Sequence, residues 1–164
     1  MHQIREAALV VWLLSCCSSF LAADSKPNLL IIMTDEHNFR TLGCYRELLS
    51  EDQAFVWGSG VVVETPHIDS LASEGALCTS FYGTTPLCAP SRASFFTGLY
   101  PHATGVPINH VSMNDDMVTF AEVLRRQGYK TGYIGKWHLD GLAKPGWEPE
   151  RKFGWEDNRY MYNR

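Results

Sequence analysis

Thr84-Thr85-Pro86-Leu87-Cys88-Ala89-Pro90-Ser91-Arg92-Ala93-Ser94-Phe95-Phe96-Thr97-Gly98 reads as a loop that turns into a short helix, with a cysteine at the junction. Pro86 and Pro90 exclude regular structure ahead of the helix. Pro90 suits the first turn, where its missing N–H is no loss. Ala93, Phe95 and Phe96 are the expected inward residues, and Gly98 is the expected stop. Cys88 is thereby predicted beside a helix N-terminus, where free backbone N–H groups and the helix dipole favour an anion. Arg92, one turn along, adds a permanent positive charge.

Upstream, residues 76–82 are predicted to form a short strand that delivers the chain to this loop. Residues 65–75 predict a helix. Thr65 is its cap, Pro66 its first-turn residue, Ile68, Leu71 and Ala72 its apolar stripe, and Gly75 its end. His67 and Asp69 are expected on its surface. Further upstream, Leu29-Leu30-Ile31-Ile32-Met33 is a continuous apolar run of the kind that fills a strand buried on both faces of a parallel sheet. It ends in Thr34-Asp35-Glu36-His37, two adjacent carboxylates where open α/β sheets place their ligands.

Downstream, Thr119-Phe120-Ala121-Glu122 is a capping box, and its helix is expected to run to Gly128. Residues 129–135 predict the next strand, with Tyr133 and Ile134 its best core candidates. The repeated helix-to-strand step indicates an α/β fold with a mostly parallel sheet flanked by helices. That strand ends in Gly135-Lys136-Trp137-His138-Leu139. Alternation along extended backbone puts Lys136 and His138 on one face and Trp137 on the other. Trp147 and Trp155 have the shape to stack on a sugar ring, but packing within the fold accounts for them equally well.

A net charge of -4 without a basic run gives no support for nucleic-acid binding. Residues 1–23 have the pattern of a signal peptide: Arg5, an apolar core from Ala7 to Leu14, and Leu21-Ala22-Ala23 before polar Asp24. The apolar core is too short to remain as a membrane span. Leu13-Leu14-Ser15-Cys16 approximates a lipid-attachment motif, but Leu14 fits it poorly, so plain export is preferred over an anchor at Cys16.

The Cys88 string resembles the signature of the type I sulfatases, Cys-x-Pro-Ser-Arg followed by a small residue, an apolar run and Thr-Gly. The resemblance runs from about Pro27 to Arg164. It implies an alkaline phosphatase-like α/β catalytic domain, here residues 24–164, incomplete at the C-terminus. In that family the cysteine is oxidised to formylglycine by a formylglycine-generating enzyme. Carried over residue by residue, the resemblance implies Cys88 as the modified nucleophile. It makes Asp35, Glu36 and Cys88 ligands to a divalent cation, Ca²⁺ in preference to Mg²⁺. The family more often has Asp or Gln at the position of Glu36. Arg92 would hold the formylglycine oxygens, Lys136 the sulfate, and His138 the aldehyde hydrate or a proton.

The implied reaction is hydrolysis of the sulfate ester of a small molecule or polysaccharide, with a hydroxyl of the aldehyde hydrate attacking sulfur. The family's other metal ligands, a second histidine and a second lysine come from later in a longer chain. Asp157-Asn158 has suitable residue types but lies too close to Lys136 to be that pair. This chain is therefore expected to be inactive alone. With Cys88 converted, Cys44 and Cys78 are left to pair, but two separate thiols fit the spacing equally. Two other functions stay open: phosphonate monoester or phosphodiester hydrolysis, and non-catalytic binding of a sulfated glycan.

Overall fold

A computed structural model describes residues 26–142 and 145–164. The expected signal segment, with Cys16, lies outside the described residues. The chain divides into two compact units, Met1–Thr34 and Asp35–Arg164. In the first unit the described residues carry neither helix nor strand.

The expected strand over residues 29–33 is therefore not formed. Its side chains are exposed, from 41% at Met33 to 82% at Leu30. Such a run becomes a strand only when neighbours supply a ladder on its edges and cover on its faces. Hydrophobicity alone supplies neither. Residues 76–82 likewise form turns and irregular backbone rather than a strand, and Phe81 and Tyr82 are exposed.

The second unit begins with a 3₁₀ turn, Phe39–Thr41, and two one-turn helices, α1 (Gly43–Arg46) and α2 (Glu51–Ala54). Then come α3 (Pro66–Glu74), α4 (Cys88–Thr97), α5 (Pro101–Thr104) and α6 (Phe120–Arg126). The strands β1 (Gly132–Lys136), β2 (Gly146–Trp147) and β3 (Asp157–Asn163) form one sheet in the order β1-β3-β2. β1 and β3 are parallel, with Gly135 opposite Met161 and Lys136 opposite Tyr162. β2 runs antiparallel to β3. The architecture is α/β as expected, but the sheet is small and mixed rather than mostly parallel.

The core lies between α4 and the sheet. Ala89 and Ala93 are fully buried, and Phe96 packs its ring 5.0 Å from that of Trp137. Trp137, Leu139, Met113, Met161 and Val106 are also buried, each contributing about 1.5–3 kcal/mol by leaving water. Phe95 departs from expectation: it is 40% exposed and meets Phe96 and Phe120 only by ring edges. Ile134 is 82% exposed, because among the described residues nothing covers the face of β1 opposite Tyr133.

Helix α3 forms where expected, but Ile68 and Leu71 of its stripe are exposed. Asp69 is half-buried rather than a free surface group. It accepts from the Cys44 N–H at 2.8 Å and from the Thr65 hydroxyl at 3.1 Å, which spends Thr65 away from its expected capping role. Cys44 and Cys78 are both free thiols. At α6 the Thr119 hydroxyl caps the Glu122 N–H at 3.3 Å. The Glu122 carboxylate turns instead to Arg125 and Arg126, so only half of the capping box forms.

Candidate active site

Cys88 is the first residue of α4, as its proline-flanked sequence predicts. Leu87 at the cap has no side chain able to satisfy the free N–H groups. Asn109 supplies that function from another loop, accepting from the Ala89 N–H at 2.9 Å. Asn109 was not legible as a site residue. The one signal for it was negative, a helix start with no capping residue of its own.

Three segments distant in sequence meet at the carboxylate of Asp35. The Lys136 ammonium donates to Asp35 Oδ2 at 2.5 Å, and Arg92 approaches the same oxygen at 3.6 Å. The Cys88 thiol donates to Oδ1 at 3.7 Å. The hydrogen bond from Lys136, reinforced by the charges of Lys136 and Arg92, holds the Asp35 carboxyl below the usual carboxylate range. Glu36 sits at a φ of 55°, in the left-handed region that non-glycine residues seldom adopt. Extended backbone would send adjacent side chains to opposite faces. This turn leaves ligand atoms of Asp35, Glu36 and Cys88 all within 4.8 Å of one another. Two carboxylates in this group fit a hard cation, and they form a partial shell for one that takes six to eight oxygens.

Arg92 is buried, and its guanidinium donates to the main-chain oxygen of Lys136 and, at 3.3 Å, to the Tyr133 hydroxyl. Tyr133 in turn donates to the Lys136 oxygen at 2.5 Å. Burial pushes the Tyr133 hydroxyl's pKa up, which keeps it a proton donor. Tyr133 was expected in the core for its ring; its hydroxyl contact was not foreseen.

His138 has a φ of 63°, so strand alternation ends before it. It is 7% exposed, and neither ring nitrogen has a hydrogen-bond partner among the described residues. Its ring lies 5.5 Å from that of His110, an exposed residue that sequence reading passed over. Burial first, then the charges of Lys136, His110 and Arg92, hold His138 below the ordinary histidine pKa. It is a neutral imidazole near neutral pH, able to accept a proton.

Two further histidines and the remaining sequence candidates lie apart from this chemistry. His37 bonds the Thr41 hydroxyl, and His102 stacks on Tyr100 at the surface. Trp155 belongs to the core, whereas Trp147 is exposed and packs one face toward Tyr162. Asp157 is paired with Arg159, which lowers its pKa to about 2. No helix among the described residues is long and apolar enough to cross a membrane.

Residues 27–162 match the sulfatase family. The chain is 35% identical over 161 residues to an ulvan-active sulfatase of Formosa agariphila, covering 93% of this chain and 29% of that protein. It is 34% identical over 127 residues to an N-acetylglucosamine-6-O-sulfatase of Bacteroides thetaiotaomicron, covering 77% and 20%. Among solved structures, a Bacteroides thetaiotaomicron sulfatase from work on glycosaminoglycan metabolism superposes with a TM-score of 0.62 at 25% identity. That match covers 79% of this chain and 31% of the other. The chain thus spans between about a fifth and three tenths of the length of these curated relatives. It is an α/β piece of the alkaline phosphatase-like fold that these enzymes share. With the match extending over most of its length and including the segments that meet at Asp35, the chain belongs to the sulfatase family.

Proposed function

We propose that this chain is the nucleophile-bearing N-terminal part, residues 24–164, of an exported sulfuric ester hydrolase acting on an aryl or carbohydrate sulfate. The observation that carries the reading is the meeting of Asp35, Cys88, Arg92 and Lys136 around one carboxylate. Such a grouping offers a nucleophile position, a cation site and two fixed positive charges in one place. The named relatives act on ulvan and on 6-O-sulfated N-acetylglucosamine, which favours a carbohydrate ester.

In this reading Cys88 is oxidised by a formylglycine-generating enzyme, and the hydrated aldehyde supplies a hydroxyl that attacks sulfur as the ester S–O bond breaks and the alcohol leaves. Asp35, Glu36 and the oxygen that replaces the Cys88 sulfur would hold Ca²⁺, or Mg²⁺, which draws charge from the sulfate oxygens when bound. Arg92, pinned by Tyr133 and the Lys136 backbone, orients residue 88 without rotating away. Lys136 binds the sulfate oxygens and lowers the cost of the negative charge that gathers there. His138, neutral and buried, takes the proton of the remaining hydroxyl of the sulfated hydrate as its C–O bond to sulfate breaks and the aldehyde re-forms.

The test begins with peptide mass measurement at residue 88 after co-expression with a formylglycine-generating enzyme. An aldehyde there supports the reading; an unmodified thiol points to a non-catalytic glycan binder. Residues 24–164 alone are expected to give no turnover of an aryl sulfate with Ca²⁺, because they supply only part of the metal shell. A polypeptide carrying the rest of the domain should release sulfate, and turn over an aryl phosphonate more slowly. Faster phosphonate turnover would reassign the reaction.

A further inference from the structure

We propose that Lys136 is a resident cation on Asp35 which a divalent metal must displace, so that metal binding itself delivers the lysine ammonium to the sulfate ester. This rests on the metal reading given above. The Lys136 Nζ lies 2.5 Å from Asp35 Oδ2, within the 2.3–2.6 Å range at which calcium is coordinated by oxygen. A divalent ion on the same oxygen would stand within a few ångströms of the ammonium, and that repulsion favours departure of the more mobile cation. The other carboxylate oxygen is already engaged by the Cys88 thiol.

Lys136 is the cation that can leave. Its side chain is 31% exposed and Asp35 34%, so water weakens the pair and the flexible stem has room to swing. Arg92 cannot take its place as the mobile charge. Its side chain is 8% exposed, and its guanidinium is tied to the Lys136 carbonyl oxygen and the Tyr133 hydroxyl. The bond from Arg92 and a second from the Tyr133 hydroxyl anchor the Lys136 carbonyl oxygen. An ammonium released from Asp35 therefore stays within its side chain's reach of Cys88. Binding couplings are reciprocal, so an anion that engages the freed Lys136 must also tighten the metal. The lysine is thus withheld from anions until the cation site is filled.

The experiment uses the full chain and acetic anhydride at one fixed pH, with acetylation read at each lysine by peptide mass. Calcium chloride should raise Lys136 labelling several-fold and leave Lys130, which is 93% exposed, unchanged. Asp35→Asn should raise Lys136 labelling without calcium, and calcium should then add nothing. By calorimetry, Lys136→Met should bind calcium several-fold more tightly than the parent chain, and Lys136→Arg should not. Circular dichroism of each variant confirms that its fold is retained. Calcium binding with Lys136 labelling unchanged or reduced would overturn the displacement while leaving the metal reading standing. If neither the parent nor Lys136→Met binds calcium, the same pair is compared in the polypeptide carrying the rest of the domain, and absence of calcium binding by both there would overturn the metal reading and this inference together.

Discussion

Arg92, one turn into α4, donates to the main-chain carbonyl oxygen of Lys136 at the end of β1. The helix that carries Cys88 and the strand that carries the lysine are therefore joined by a charge-assisted hydrogen bond, with Tyr133 completing the bracket. Nothing that moves one of these elements leaves the other in place.

That bracket makes Arg92 intolerant of a conservative change. Arg92→Lys keeps the charge but loses the planar fork that reaches Tyr133 and Lys136 together. In a catalytically complete polypeptide it is expected to lower kcat/KM by about 100-fold. Tyr133→Phe removes one hydroxyl and should cost about 1 kcal/mol of stability. Steady-state kinetics and urea denaturation of both variants check this; an Arg92→Lys enzyme with unaltered kcat/KM would refute it.

The folded chain holds His138 below the ordinary histidine pKa because burial penalises its charged form. The unfolded chain therefore binds the proton more readily. The stability associated with the neutral ring is present in full above the unfolded value and declines as pH falls through the folded one. Thermal melts from about pH 8 to about pH 5 should show the wild type losing stability over this window. His138→Gln should show a flatter profile, and parallel profiles would count against the assignment.

Two glycines with similar backbone angles should respond differently to alanine. Gly154 has a φ of 90°, and an added Cβ would lie 2.2 Å from the Glu122 backbone nitrogen at the start of α6. Gly98 has a φ of 72° with open space around it. Gly154→Ala is expected to destabilise by about 3 kcal/mol or more, since backbone must move. Gly98→Ala should cost about 1 kcal/mol, the left-handed penalty alone. Equal losses in chemical denaturation would contradict the packing described.

Arg151 ties the loop at residues 113–115 to the segment that follows β1. It pairs with buried Asp140 and donates to the Met113 oxygen at 2.6 Å and the Leu139 oxygen at 2.9 Å. Arg151→Ala leaves the Asp140 charge buried without its partner, at an expected cost of about 3 kcal/mol. Urea denaturation of Arg151→Ala beside an Arg151→Ala/Asp140→Asn double variant should show the second change recovering part of the loss.

Much of the second unit was legible because its signals are local. Pro90 and Gly98 bracket α4, and Thr119 starts α6, through backbone chemistry that acts within a few residues. The residues that meet at Asp35 were named from family resemblance rather than from spacing, because each is unremarkable within its own segment. Asn109, His110 and the Tyr133 hydroxyl went unread for the same reason: each acts on a partner 20 or more residues away or through an atom that composition does not single out.

By itself the sequence determined where helices begin and end and that Cys88 stands at a helix N-terminus, since proline, glycine and threonine constrain the backbone beside them. Only the tertiary structure decided which apolar stretches are buried. Leu29–Met33 and Trp137 are both apolar; the first lies exposed and the second has no exposure at all. Burial and strand pairing depend on partners that a segment does not contain. The tertiary structure likewise placed Lys136 and Arg92 on one carboxylate 101 and 57 residues from them in the chain, because a charge pairs with whatever the fold brings near it.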